Sequence, residues 1–162
     1  VVGAWPANKK VLDLPLRKEL VGGSGDDAGE RRVRVTGKDD PEGMRSITLV
    51  KVARRLGAYT LLEVTIKTGR THQIRVHLAS QGHPIAGDDK YGDFELNHRL
   101  ARQGGTQGEG KLERMFLHAR YLRLPHPQDG RELVFEAPLP PECRGFLATL
   151  QPLAAAVSST RR

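Results

Sequence analysis

The sequence predicts a mixed α/β fold of the α+β type, with a largely antiparallel sheet and flanking helices. Three observations carry this expectation. Residues 45–66 read as a hairpin, two runs of strand formers around the turn Gly57-Ala58. Residues 71–81 read as a helix with Gly82 at the position that ends it. Met115–Leu124 and Glu132–Glu136 read as two further strands joined by a turn containing Pro and Gly. Strands that follow one another through short turns pair antiparallel, and the helices between them cover the sheet.

Taken in order, Val1–Pro6 reads as the end of a buried strand, so more of the domain is expected before it. Val11–Lys18 is mixed in character. Gly22–Gly29 is rich in Gly and Asp and reads as a loop; its Gly22-Gly23-Ser24-Gly25 run lacks the Gly-Lys-Ser/Thr ending of a phosphate loop. Arg31–Thr36 alternates like a short edge strand, and Lys38–Gly43 turns at Asp40-Pro41. After the hairpin and the loop Lys67–Arg70 comes the helix. His83–Ala86 then returns toward a strand, and Gly87–Gly92 is a polar turn. Phe94–Gln103 is expected as a helix stopped by Gly104, Gly104–Gly110 as a flexible loop and Pro141–Leu150 as the last helix. Residues 1–153 are expected to form one domain portion and residues 154–162 a disordered tail.

Composition narrows the function classes. With 26 Lys and Arg against 19 Asp and Glu, the net charge is +7, a balance that suits a polyanion, be it RNA, DNA or an anionic membrane, or else a merely soluble surface. Cys143 is the single cysteine, which excludes an internal disulfide and any zinc site built on two thiolates. It also fits a reducing, cytoplasmic setting. The uncharged stretch Gly145–Thr160 is too short to span a bilayer.

The informative segment is Thr68–Gly92, TGRTHQIRVHLASQGHPIAGDDKYG. On a helix advancing about 100° per residue, Ile74, Leu78, Arg75, Ala79, His72 and Val76 share one broad face, and Gln73, Ser80, His77 and Gln81 the other. Arg75 lies in the middle of the mostly apolar arc. A guanidinium there keeps its proton and needs a carboxylate held in a fork. Either it closes a structural ion pair, or it positions and ionises an active-site carboxylate. His72 and His77 are five residues apart and point away from each other, so a metal site is not expected. Asp88, Asp89 and Asp93 suit a nucleophile or a metal-dependent nuclease, but short acidic side chains in a Gly-containing turn more often cap backbone N–H groups. Tyr91 is either a packed turn residue or an aromatic platform for a base.

GRTHQIRVHLASQGHPIAGDDKYG resembles the signature of RluA-type pseudouridine synthases. Phe116-Leu117-His118-Ala119 is similar to the family's second marker, and the strand pair ending in Glu136-Ala137-Pro138 to its closing pattern. The likeness runs from residue 1 to about residue 150, with the nearest resemblance to members acting on large-subunit ribosomal RNA. It implies a pseudouridine synthase-like fold, present here in part. It implies an isomerase that breaks the N-glycosidic bond of a uridine in RNA, rotates the uracil and rejoins it through carbon, with no cofactor and no metal. The family's nucleophile is the aspartate of a His-Arg-Leu-Asp motif, and no such motif occurs in these residues. By the same likeness Arg75 is the partner of that aspartate, absent from this chain. Leu117 packs near the uracil, and Arg70 and His72 lie at the pocket mouth, where they meet phosphate or a flipped nucleotide. RNA, ribosomal RNA in particular, is then the expected partner of a monomeric protein. A basic RNA-binding module without chemistry is the alternative.

Overall fold

The computed structural model describes residues 1–21, 30–104 and 109–150. The expected loop Gly22–Gly29, the centre of the loop Gly104–Gly110 and the tail 154–162 lie outside them.

Seven strands and three helices are described, in the order β1 (Val11–Asp13), β2 (Leu16–Val21), β3 (Glu30–Val35), β4 (Ile47–Leu56), β5 (Tyr59–Ile66), α1 (Gln73–Ser80), α2 (Phe94–Gln103), β6 (Tyr121–Pro125), β7 (Glu132–Glu136) and α3 (Pro141–Thr149). Every strand pair is antiparallel. The strands are divided among three sheets, β1-β4-β5, β2-β3 and β6-β7. The β4–β5 hairpin closes at Leu56↔Tyr59 around Gly57-Ala58, with Gly57 at φ 57°, and carries a register shift between Val52 and Arg54. The start of the chain runs beside this turn, where Val2 bridges to Tyr59 and Trp5 is buried, but it forms no full strand.

Helix α1 ends in a Schellman motif. Gly82 N–H donates to Ala79 O at 2.9 Å and His83 N–H to Leu78 O at 3.1 Å, with Gly82 at φ 77°. The expected strand at His83–Ala86 does not form. Its His83 N–H is spent on the helix end, and its Ile85 and Ala86 side chains are buried in two different apolar clusters. Residues 115–120 are likewise not a strand. Phe116 N–H bonds to Ala86 O, side chains from Met115 to Leu117 pack into the core, and pairing with β7 begins only at Tyr121. Helix α2 starts as expected, Asp93 capping Leu96 N–H at 2.9 Å.

Three apolar clusters hold these pieces. Leu56, Tyr59, Leu100, Leu112 and Phe146 join the β4–β5 turn to α2 and α3. Trp5, Leu12, Val50, Leu78 and Ile85 seat α1 on the three-stranded sheet. Leu16, Val33 and Val76, with Val35 and Tyr91 beside them, pack the β2–β3 hairpin on α1. The helix is therefore covered on more than its apolar arc. Gln73 and His77, expected on the polar face, are 3% and 0% exposed. A buried hydrogen-bond chain explains this. Gln73 Nε2 donates to Thr48 Oγ1 at 3.0 Å, the Thr48 hydroxyl meets His77 Nδ1 at 2.8 Å, and His77 Nε2 meets Leu14 O at 2.9 Å. Every donor in that chain has an acceptor when His77 is neutral, and burial lowers its pKa accordingly.

Candidate active site around Arg75

Helix α1 aims Arg75 at the turn that follows Gly87. Arg75 Nε donates to Asp88 Oδ2 at 2.9 Å and Nη2 to Asp88 Oδ1 at 2.7 Å, the two-pronged fork that a planar guanidinium offers a carboxylate. Nη2 also reaches Asp89 Oδ1 at 3.1 Å. The Asp88 side chain is 1% exposed and that of Arg75 15%. Asp88 Oδ1 accepts further bonds from the amides of Lys90 and Tyr91, both at 2.9 Å. Desolvation pushes the Asp88 carboxyl up, but the Arg75 fork and the two amides outweigh it and hold its pKa below the usual carboxylate value. Asp88 itself drives the Arg75 pKa upward. A carboxylate so fully engaged is an anchor, and its lone pairs are not free to attack a substrate.

The turn is shaped to bring this carboxylate in. Gly87 sits at φ 78°, and a Cβ there would collide with the backbone carbonyl of Arg114; one at Gly92 would collide with the carbonyl of Asp88. Asn97 of α2 closes the turn from outside, accepting from Gly87 N–H at 2.8 Å and donating to Asp88 O at 2.7 Å.

Tyr91 joins this turn to the rest of the site. Its hydroxyl accepts from Val33 N–H at 3.1 Å and lies 2.9 Å from His72 Nδ1, while its ring lies under the Arg75 guanidinium, 5.2 Å from Cζ to centroid. The Val33 amide takes one lone pair of the hydroxyl, and a neutral His72 with its hydrogen on Nε2 offers Nδ1 as an acceptor for the hydroxyl proton. Burial, then the charges of Arg75 and Lys90, lower the His72 pKa and favour that neutral form. His72 caps α1 at φ 54°, the one non-glycine residue with positive φ among those described, and its side chain makes no cap hydrogen bond.

The structure thus brings Arg75 and His72 together around Tyr91. Arg70 is exposed, one loop earlier, and bonds through Nε to Arg45 O at 3.2 Å. Leu117 is part-buried against the cluster of Trp5, Leu12 and Leu78. The wheel asked for a carboxylate held in a fork and left its source open, and Asp88 of this same chain fills that fork. The turn-chemistry reading of Asp88 and the ion-pair reading of Arg75 describe one object. Two N–H groups, both on Arg75 Nη1, have no partner among the described residues. The hub role of Tyr91 and the buried Gln73–Thr48–His77 chain went unread. The spacing of Asp88 and Tyr91, which lets the carboxylate accept the amide three residues on, signals only the turn that carries Tyr91. Among the described residues no three His, Cys, Asp or Glu side chains come together as a metal set.

The comparisons with known proteins agree with this architecture. The family model described as RNA pseudouridylate synthase matches residues 6–80. Ribosomal large subunit pseudouridine synthase C of Yersinia pestis is 41% identical over 151 residues, 93% of this chain and 42% of that protein. The protein of the same name from Escherichia coli K12 is 42% identical over 139 residues, 86% of this chain and 39% of its own length. Human RNA pseudouridylate synthase domain containing 1 has a similar fold, TM-score 0.63 at 24% identity, covering 94% of this chain and 56% of that one. Human RNA pseudouridylate synthase domain containing 4 aligns with TM-score 0.57 at 26% identity, covering 86% and 55%. The chain spans about two fifths of the length of the curated relatives it matches. By its signature turn, its fold and these identities, the chain belongs to the RNA pseudouridylate synthase family.

Proposed function

We propose that the protein carrying this sequence converts uridine to pseudouridine in RNA, and in large-subunit ribosomal RNA in particular. The observation that supports this most is the state of Arg75. Asp88 and Asp89 take three of its five N–H groups and fix the plane of the guanidinium, leaving Nη1 for a second carboxylate. In this reading that carboxylate is the nucleophilic aspartate. The string His98-Arg99-Leu100 does occur, but Ala101 follows it and Leu100 is buried in the core, so the aspartate comes from another part of the protein. A fixed cation keeps it ionised against desolvation, and an ionised carboxylate is the form that attacks. His72 and Arg70 receive the RNA, and Leu117 packs toward the base. The net charge of +7 supplies the attraction to phosphate. The protein acts as a monomer in the cytoplasm, without cofactor or metal; residues 1–153 are the carboxy-terminal portion of its catalytic domain.

The experiment has two arms. Filter binding of the 162-residue chain to ribosomal RNA across ionic strength is expected to show affinity falling steeply with salt. Tritium release from uridine-labelled ribosomal RNA is expected from a longer form that adds a His-Arg-Leu-Asp segment, and not from these residues alone. Turnover by the chain alone would move the nucleophile to an acid within it. Binding without turnover by the longer form would leave the non-catalytic RNA-binding module as the function.

A further inference from the structure

A groove of about 380 Å³ lies between the β2–β3 hairpin and the loop that enters α1. Its floor is apolar. Leu16 and Val33 are buried there, and Met44 lies open beside them, half-exposed. Its rims are cationic. Lys18 projects from β2 and has no carboxylate partner among the described residues, and Arg70 faces it from the loop. A third cation, Arg17, is shared between Asp40 at 3.3 Å and Glu42 at 2.6 Å, so that trio keeps one negative charge and the net cations of the groove are Lys18 and Arg70.

The backbone of Arg70 is fixed before any ligand arrives. Its amide donates to Gln73 Oε1 at 3.1 Å and its carbonyl accepts from Gln73 N–H at 3.0 Å. The same buried carboxamide donates to Ile47 O and Thr48 Oγ1, each at 3.0 Å, which ties the loop to β4. With Nε on Arg45 O, neither Nη group of Arg70 has a partner among the described residues. Two cations over an apolar floor match a nucleotide within an RNA strand. The phosphodiester takes the charge, and the sugar and base cover the apolar surface. Inorganic phosphate would use the cations alone and leave the floor wet.

We propose that this groove is a second RNA subsite, holding one nucleotide beside the uridine at Arg75, with its phosphodiester between Lys18 and Arg70 and its base against Met44. The assignment rests on the RNA reading above and adds to it a defined place. Leu16 and Val33 pack on Val76 of α1, so the groove floor and Arg75 share one helix.

The chain has two methionines, which makes the test direct. Met44 lies in the groove, and Met115 packs into the core beneath α1. In a chain labelled with 13C at the methionine methyls, titration with an oligouridylate is expected to shift the Met44 methyl and leave Met115 in place. Inorganic phosphate at matched ionic strength is expected to shift neither. The double variant Lys18→Gln, Arg70→Gln is expected to lose the Met44 shift and to lower the salt slope of binding by about one for each cation. An unmoved Met115 resonance in that variant shows that the fold is kept. Oligouridylate binding by filter assay with a static Met44 methyl would overturn the subsite while leaving the RNA reading intact. A Met44 shift of the same size with phosphate alone would also overturn it. No binding at low salt would overturn both readings.

Discussion

Replacing Asp88 with asparagine tests the anchor of the site. The substitution preserves shape and removes one charge. Asn Oδ1 can keep the bonds from Lys90 N–H, Tyr91 N–H and Arg75 Nη2, but Nδ2 then faces Arg75 Nε, donor against donor. Removing one member of a buried ion pair costs about 3–5 kcal/mol, because the other charge stays behind without its partner. The Arg75 side chain is 15% exposed and can recover some water, which places the loss near the lower end, about 3 kcal/mol. In a domain of this size each kcal/mol moves the melting temperature by roughly 2–4 °C, so a fall of about 6–12 °C is expected. Acid reveals the sign. The Asp88 pKa is lowered on folding, so its contribution is complete above the unfolded carboxylate value of 3.8 and fades as pH falls through the folded value below it. Urea unfolding followed by circular dichroism at neutral pH and in acid should show the two proteins converging as the wild-type carboxylate is protonated. A neutral-pH loss under about 1 kcal/mol, or a gap that stays constant into acid, would refute the account of Asp88 as an ionised buried anchor.

Gly87→Ala is expected to destabilise by at least about 2 kcal/mol, since it adds a left-handed alanine and a collision with the Arg114 carbonyl; chemical denaturation reads it. Tyr91→Phe leaves Val33 N–H without its acceptor, and an orphaned donor costs about 1–3 kcal/mol, so hydrogen exchange at Val33 should accelerate more than at β5 amides. In the longer, active form, Arg75→Ala should abolish turnover with little change in RNA affinity. Arg75→Lys should keep more stability than alanine yet still lose rate, because an ammonium cannot fork Asp88 and serve a second carboxylate at once. Near-normal tritium release from a folded Arg75→Ala protein would return Arg75 to a purely structural role.

Local chemistry made much of this protein legible in its sequence. The runs of strand formers at 59–66 and 132–136, the Asp93 cap before Phe94 and the glycine after Gln81 act within a few residues, and the elements they predict form where expected. The central motif likewise pointed to the family and, through it, to RNA, while the charge balance pointed only to a polyanion. Tertiary structure decided what depends on distant partners. His83–Ala86 and residues 115–120 have strand-like composition, yet a strand needs a neighbour with free backbone groups, and these segments instead serve a helix end and the core. The polar face assigned to Gln73 and His77 was buried because Thr48, some 25 residues away in sequence, supplies their hydrogen bonds. The helical wheel required a carboxylate for Arg75 and could not say which. Asp88 was chosen by two glycines and Asn97, which fold the turn back over α1, and by the low dielectric there, which makes an unpaired guanidinium too costly to leave.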